Sequence, residues 1–147
     1  MCNLRWILAC IALAGSATPL AASEQQVLQT IDQFFTALQQ RDGQTIGKLL
    51  LTDGELIGYR RDNGELRISR LSHAAYAAAI GEGDSELLER IWDPVIQVDG
   101  DLASAWTPYD FWVDGEFHHC GVNSFNLLRT SDGWRIAAVV YTIETED

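Results

Sequence analysis

The 147-residue chain is 47% hydrophobic and carries a formal charge of -11, a balance that suits one domain with a real apolar core. An acidic surface repels phosphate backbones and anionic headgroups, so nucleic acid and membrane surfaces are not expected partners of the mature protein.

The first residues read as a targeting segment. Met1 to Arg5 carries one positive charge, Trp6 to Gly15 is an apolar run, and Leu20-Ala21-Ala22-Ser23 offers small residues for cleavage after Ala22 or Ser23. That layering is typical of a bacterial secretory signal peptide. It predicts a signal over 1–22, a single domain over 23–147, and a periplasmic or secreted protein. A lipoprotein signal ending at Cys10 would leave too little hydrophobic segment ahead of the cysteine. A retained anchor would need about twenty apolar residues. Removing the segment takes Arg5 away, leaving 9 basic residues against 21 acidic ones. Cys2 and Cys10 leave with it, so Cys120 has no cysteine to pair with and packing alone must hold the fold.

Glu24 to Gln40 predicts an amphipathic helix, because Val27, Leu28, Ile31, Phe34, Phe35 and Leu38 recur at helical spacing. Ser23 and Gln26 offer a capping box for it. Gln44 to Leu51 predicts a short second helix. Glu55–Arg61 and Glu65–Arg70 form a predicted hairpin around Asn63-Gly64, and its Arg60, Arg61, Arg67 and Arg70 read as a solvated cluster balanced by nearby carboxylates. Ser72 caps a third helix, His73–Ile80. Leu87 to Val98 is a strand made irregular by Pro94, which removes a backbone donor and suits a bulge or an edge. With a three-residue loop at Asp99-Gly100-Asp101, Val98 would face Leu102 and Ile96 would share a face with Trp106. Leu102–Val113, Glu116–Arg129 and Trp134–Glu144 complete an antiparallel meander, with Trp134 packed at the sheet end.

The turn at Asp114-Gly115 sets the central register. Asp-Gly between apolar runs favours a two-residue type I′ turn, which makes Val113 face Glu116 and Trp112 face Phe117. Counting outward in a regular ladder pairs Asp110 with His119, Pro108 with Gly121 and Trp106 with Asn123. Cross-strand partners share a face, so these residues are expected to floor a pocket. Tyr109, Phe111, Val122 and Tyr141 would then lie on the opposite face as a self-associating surface. One residue of slip would exchange the two sets.

The order helix, helix, hairpin, helix, meander gives an α+β fold with a helical layer on a curved sheet. It resembles the nuclear transport factor 2-like superfamily, the cone-shaped fold of ketosteroid isomerase, scytalone dehydratase and SnoaL-like cyclases, and within it the bacterial members labelled SnoaL-like or putative lumazine-binding. Ile31-Asp32-Gln33-Phe34-Phe35, Val98-Asp99-Gly100-Asp101-Leu102-Ala103 and Asp132-Gly133-Trp134-Arg135-Ile136 carry the likeness. The resemblance implies three helices on a curved antiparallel sheet, a cavity between them, and a homodimer through the outer sheet face. It does not carry one activity, since function resides in the site. The isomerase site does not transfer, because Phe34 and Phe35 stand where a tyrosine donor would be wanted.

Two function classes remain. In the first, a cavity walled by Trp106, Trp112, Phe117 and Asn123 binds a small hydrophobic or aromatic ligand. In the second, a cofactor-independent isomerase, dehydratase or cyclase uses His119 as acid or base, Asp110 to orient it and Asn123 to polarise the substrate. No metal is expected at His118-His119-Cys120, because adjacent strand residues point to opposite faces. Cys120 faces Tyr109 in the counted register and reads as a small buried side chain rather than a nucleophile.

Overall fold

The computed structural model describes residues 19–145. Of the segment over 1–22 predicted as a signal peptide, residues 1–18 lie outside them. Among the described residues helix α1 spans Pro19–Gln39. Ser23 therefore sits inside the helix rather than capping it. Its hydroxyl donates to the Pro19 carbonyl at 3.1 Å and accepts from Arg129 Nη2 at 3.0 Å. The buried stripe Val27, Ile31, Phe34, Phe35 and Leu38 follows the predicted helical spacing. Helix α2 (Gly43–Leu49) is capped by Asp42, whose carboxylate accepts from the Thr45 amide at 2.9 Å. Helix α3 (His73–Glu82) is capped by Ser72 as predicted.

Against these helices lies one seven-stranded sheet. Its strands are β1 (Leu50–Asp62), β2 (Glu65–Ser72), β3 (Leu87–Ile91), β4 (Val95–Asp99), β5 (Leu102–Val113), β6 (Glu116–Thr130) and β7 (Gly133–Ile143). The spatial order is β2-β1-β7-β6-β5-β3, with β4 on the same open side of β5. The sheet is antiparallel except at one seam, where β1 runs parallel to β7. The first hairpin thus enters beside the last strand. The predicted strand over 87–98 is two strands. The break falls at Trp92-Asp93-Pro94, where Asp93 takes a positive φ of 44°, and the two pieces pair with opposite ends of β5.

Two registers differ from a regular count. At the β4–β5 turn Asp99 pairs with Leu102, so Ile96 faces Ala105 and Val95, not Ile96, shares the face of Trp106. In the central hairpin the Asp114-Gly115 turn is as predicted, with both φ values positive, and Trp112 pairs with Phe117. The next pair is Phe111 with His119, which leaves His118 as an extra residue, a β-bulge. From there every partner moves by one. Asp110 pairs with Cys120, Tyr109 with Gly121, Thr107 with Asn123 and Trp106 with Ser124. The one-residue slip has occurred.

The core sits between α1 and the inner sheet face. Ile31, Leu38, Ile46, Ala105, Phe125, Leu127 and Ile136 are all at most 2% exposed. Trp134 is buried at the sheet end as expected, with the Arg129 guanidinium 4.7 Å above its ring.

Candidate active site in the helix–sheet cavity

The slip decides which side chains meet the helices. Residues of odd number on β5 up to Phe111, and on β6 beyond the bulge, point inward: Tyr109 and Phe111, then His119, Asn123 and Phe125. With Phe34, Phe35 and Tyr76 from the helical layer, and with Glu89 and Tyr141 from the flanking strands, they enclose a cavity of about 180 Å³. Its walls are mostly aromatic. Phe34 stacks on Tyr76 with centroids 5.9 Å apart, and Phe125 meets Phe34 and Phe35 edge-on. Leu56 and Val139 close the side toward the parallel seam.

One carboxyl projects into this apolar space. Leu87, Glu89 and Ile91 alternate on the inner face of β3, and Glu89 pairs across with Phe111. Asn123 Nδ2 donates to Glu89 Oε1 at 2.7 Å, which orients the carboxyl without neutralising it. Burial dominates and pushes the Glu89 carboxyl up to about 7; the Asn123 hydrogen bond opposes this and the negative charge of Asp110 adds to it. A group poised there holds or releases a proton near neutrality, the property wanted of a general acid or base.

The neighbouring polar groups are neutral. Burial, aided by repulsion from His118, pulls the His119 imidazole down to about 4. Its Nδ1 lies 2.8 Å from His118 Nδ1, so one ring donates to the other. The bulge allows this contact by turning two adjacent side chains to one side, which corrects the expectation that His118 and His119 lie on opposite faces. Tyr109 donates its hydroxyl to the Thr142 carbonyl at 2.7 Å. Burial raises the phenols of Tyr76, Tyr109 and Tyr141 above their ordinary values, keeping them protonated donors.

Among the sequence-predicted site residues, His119 and Asn123 line the cavity. Asp110 does not. It lies on the outer face, where Arg90 Nε donates to it at 2.8 Å and a second guanidinium nitrogen closes a bidentate pair. That pairing, first among its causes, holds the Asp110 carboxyl below the usual range. The predicted Asp110–His119 pair is therefore absent, because the bulge puts the two on opposite faces. Trp106 and Trp112 also point outward. Trp106 is 55% exposed, and Trp112 packs edge-on against Phe117 at 5.7 Å beneath the Arg90 guanidinium. Conversely Tyr109, Phe111 and Tyr141, expected on an outer surface, form cavity wall. Gly121 is not a ligand notch: a Cβ there would lie 2.2 Å from the Thr142 carbonyl oxygen, so the β7 backbone occupies that space.

Glu89 is the residue that sequence reasoning missed. A carboxylate at the centre of the alternation Leu87, Glu89, Ile91 was its signal, since such a strand face is otherwise core.

Helices α1–α3 on a curved sheet with a cavity between them define the nuclear transport factor 2-like fold. Solved structures agree. An NTF2-like protein with a cystatin-like fold from Novosphingobium aromaticivorans superposes with a TM-score of 0.69 at 20% identity, covering 87% of this chain and 86% of the other. An NTF2-like superfamily protein from Salmonella enterica serovar Typhimurium gives 0.65 at 19%, over 86% and 94%. A comparison with curated proteins finds no match. Residues 22–142 match the family described as "Putative lumazine-binding", and the chain belongs to that family.

Proposed function

We propose that the protein binds a small, flat, mostly apolar molecule in the helix–sheet cavity, with one polar group of the ligand meeting Glu89. The observation that carries this is the Glu89 carboxyl set among Phe34, Tyr76, Tyr109 and Phe111 with one hydrogen bond, from Asn123, and an oxygen left over. A half-buried carboxyl facing aromatic rings costs stability, and a ligand donor would offset that cost. Size limits the ligand. An apolar cavity of about 150 Å³ in another protein holds benzene, so 180 Å³ suits one ring and a short substituent. The family's description is in keeping with a ring-shaped ligand. Native mass spectrometry of protein purified from its own cell tests the proposal. A retained small molecule, lost in Glu89→Leu, is the expected result; an empty protein that also fails to bind benzyl alcohol would sink it.

A second reading follows from the same carboxyl. Poised near neutrality in a cavity that His119 also lines, Glu89 can remove a proton from a hydrophobic carbonyl compound and return it at another carbon, as a cofactor-independent isomerase does, or pass it to a leaving hydroxyl, as a dehydratase does. Glu89 takes the role that the sequence assigned to the His119–Asp110 pair. Exchange of α-hydrogens of cyclohexenone with deuterated water, present in the wild type and absent in Glu89→Gln, would establish it. No exchange above buffer would end it.

The residues over 1–22 support an exported protein, checked by the N-terminus of the periplasmic product. On the outer face Val95, Trp106 and Val140, all more than 40% exposed, lie along one row across β4, β5, β6 and β7. This row supports a homodimer. Sedimentation of Trp106→Glu as a monomer beside a dimeric wild type is the expected outcome, and a wild-type monomer would refute it.

A further inference from the structure

We infer that the cavity takes an amine as its ammonium ion, carried on one ring, with the charge held between the aromatic side chains and the Glu89 carboxylate. This rests on the cavity being a binding site, and it names the chemistry of the group that meets Glu89. The cavity lacks a cation of its own. Among its described lining residues Glu89 is the one carboxyl, and none is lysine or arginine. A carboxylate facing rings is stable as an anion only beside a cation or several donors. The arginines beside this space are turned elsewhere. Arg90, next in the chain, donates to Asp110 on the outer face. Arg41, whose charge reaches Tyr76, donates to the Ser85 carbonyl at 2.8 Å and to the Ile80 carbonyl at 3.4 Å. His119 does not replace them, because burial and the neighbouring His118 keep its ring neutral down to about pH 4.

The walls suit a cation. Glu89 is the direct cross-strand partner of Phe111, which places the two side chains next to each other on the inner face. Burial is the main cause that raises the phenols of Tyr76, Tyr109 and Tyr141, and the Glu89 charge adds to the rise in each. Rings from α3, β5 and β7 therefore stand within electrostatic reach of one carboxyl. The face of an aromatic ring is negative, and it attracts a cation within about 6 Å of its centre. Surroundings that disfavour a second anion thus favour a positive ligand. Hydrogen-bond chemistry agrees. Tyr109 gives its hydroxyl hydrogen to Thr142, and Asn123 gives an amide hydrogen to one Glu89 oxygen. The other Glu89 oxygen calls for a ligand donor, and a primary ammonium brings three N–H donors together with the charge. A formal charge of -11 on the whole chain draws cations toward the molecule from a distance.

Isothermal titration of benzylamine and benzyl alcohol tests this, since the two probes differ only in the group that meets Glu89. At pH 8 wild type should bind benzylamine about tenfold more tightly than the alcohol, the effect of one good charged hydrogen bond. Unliganded Glu89 keeps its proton to about pH 7, and the ammonium must displace it. Benzylamine should therefore bind about tenfold more weakly at pH 6 and release a proton there, read from the heats in buffers of different ionisation enthalpy. The other groups around Glu89 hold one state across this range: His119 and the three tyrosines stay neutral, and Asp110 stays ionised. Glu89→Gln should erase both the preference and the pH dependence while still binding the alcohol. Equal affinity of the two probes for wild type at pH 8, or a preference that survives in Glu89→Gln, overturns the inference and leaves the cavity as a binding site. Failure of both probes to bind wild type overturns the cavity reading as well.

Discussion

Glu89 and Asp110 stand one residue out of register on neighbouring strands, and the sheet between them gives one carboxyl two opposite lives. Asp110 faces outward and meets Arg90, which holds its proton affinity low. Glu89 faces inward among rings, with an amide for a partner, and keeps its proton to about pH 7. Arg90 follows Glu89 directly in the chain, yet strand alternation sends its charge to the other side. The difference lies in which side of a pleat each residue occupies. A carboxyl that is fully paired is finished chemically. One that is buried and half satisfied still has something to do.

The comparison breaks most visibly in the pH dependence of stability. The unfolded Glu89 carboxyl loses its proton near 4.5, the folded one near 7. Between those values the unfolded carboxyl binds fewer protons than the folded one, so by this group alone stability falls as pH rises, by at most about 3 kcal/mol. Glu89→Gln removes that titration. His119, pulled down to about 4, makes stability rise over nearly the same window, so in urea unfolding the variant's profile should rise with pH while that of wild type is flattened by the opposing Glu89 titration. Equal slopes would mean that Glu89 is solvated and ordinary.

Asn123 comes next. Asn123→Leu keeps the volume and deletes the donor at 2.7 Å from Glu89. Losing a hydrogen bond to a buried polar partner costs about 1–3 kcal/mol. Because that bond opposes the upward shift, the Glu89 titration followed by carbon NMR of its carboxyl should move higher in the variant. A downward movement would show that Asn123 does not stabilise the charged form.

Much of the fold was legible because local chemistry decided it. The α1 stripe, the Ser72 cap and both Asn-Gly and Asp-Gly turns follow from periodicity, capping and φ preference, and each is where those rules put it. The site was half legible. His119 and Asn123 line the cavity, but they arrived there with Tyr109 and Phe111 rather than with Trp106 and Trp112. A β-bulge has no fixed sequence mark, and a count through a regular ladder carries its error to every later pair. Burial of β5 was a usable check: Ala103, Ala105 and Thr107 alternate with Ser104, Trp106 and Pro108, and small residues are what a face packed under helices accepts. Glu89 was hidden for another reason. It sits in a strand whose sequence neighbours, Glu86 and Arg90, make a charged stretch look solvent-facing.

The smallest effect expected is that of Asp110→Asn, and its smallness is informative. The variant frees Arg90, which is 54% exposed in its side chain, so solvent already weakens the pair and the loss of stability should stay below about 1 kcal/mol near neutrality. The sign with pH is opposite to that of Glu89. A carboxyl held below its ordinary value of 3.8 stabilises the fold above that value and stops doing so as pH falls through its folded pKa. Wild type should therefore lose its advantage over Asp110→Asn only in acid. Removing the Asp110 charge also removes a repulsion that raises Glu89, so the Glu89 midpoint should drift downward in the variant while ligand binding is unchanged. If Asp110→Asn instead abolishes binding or makes the profile rise with pH as Glu89→Gln does, then Asp110 belongs to the cavity. That is where the count through a regular ladder put it.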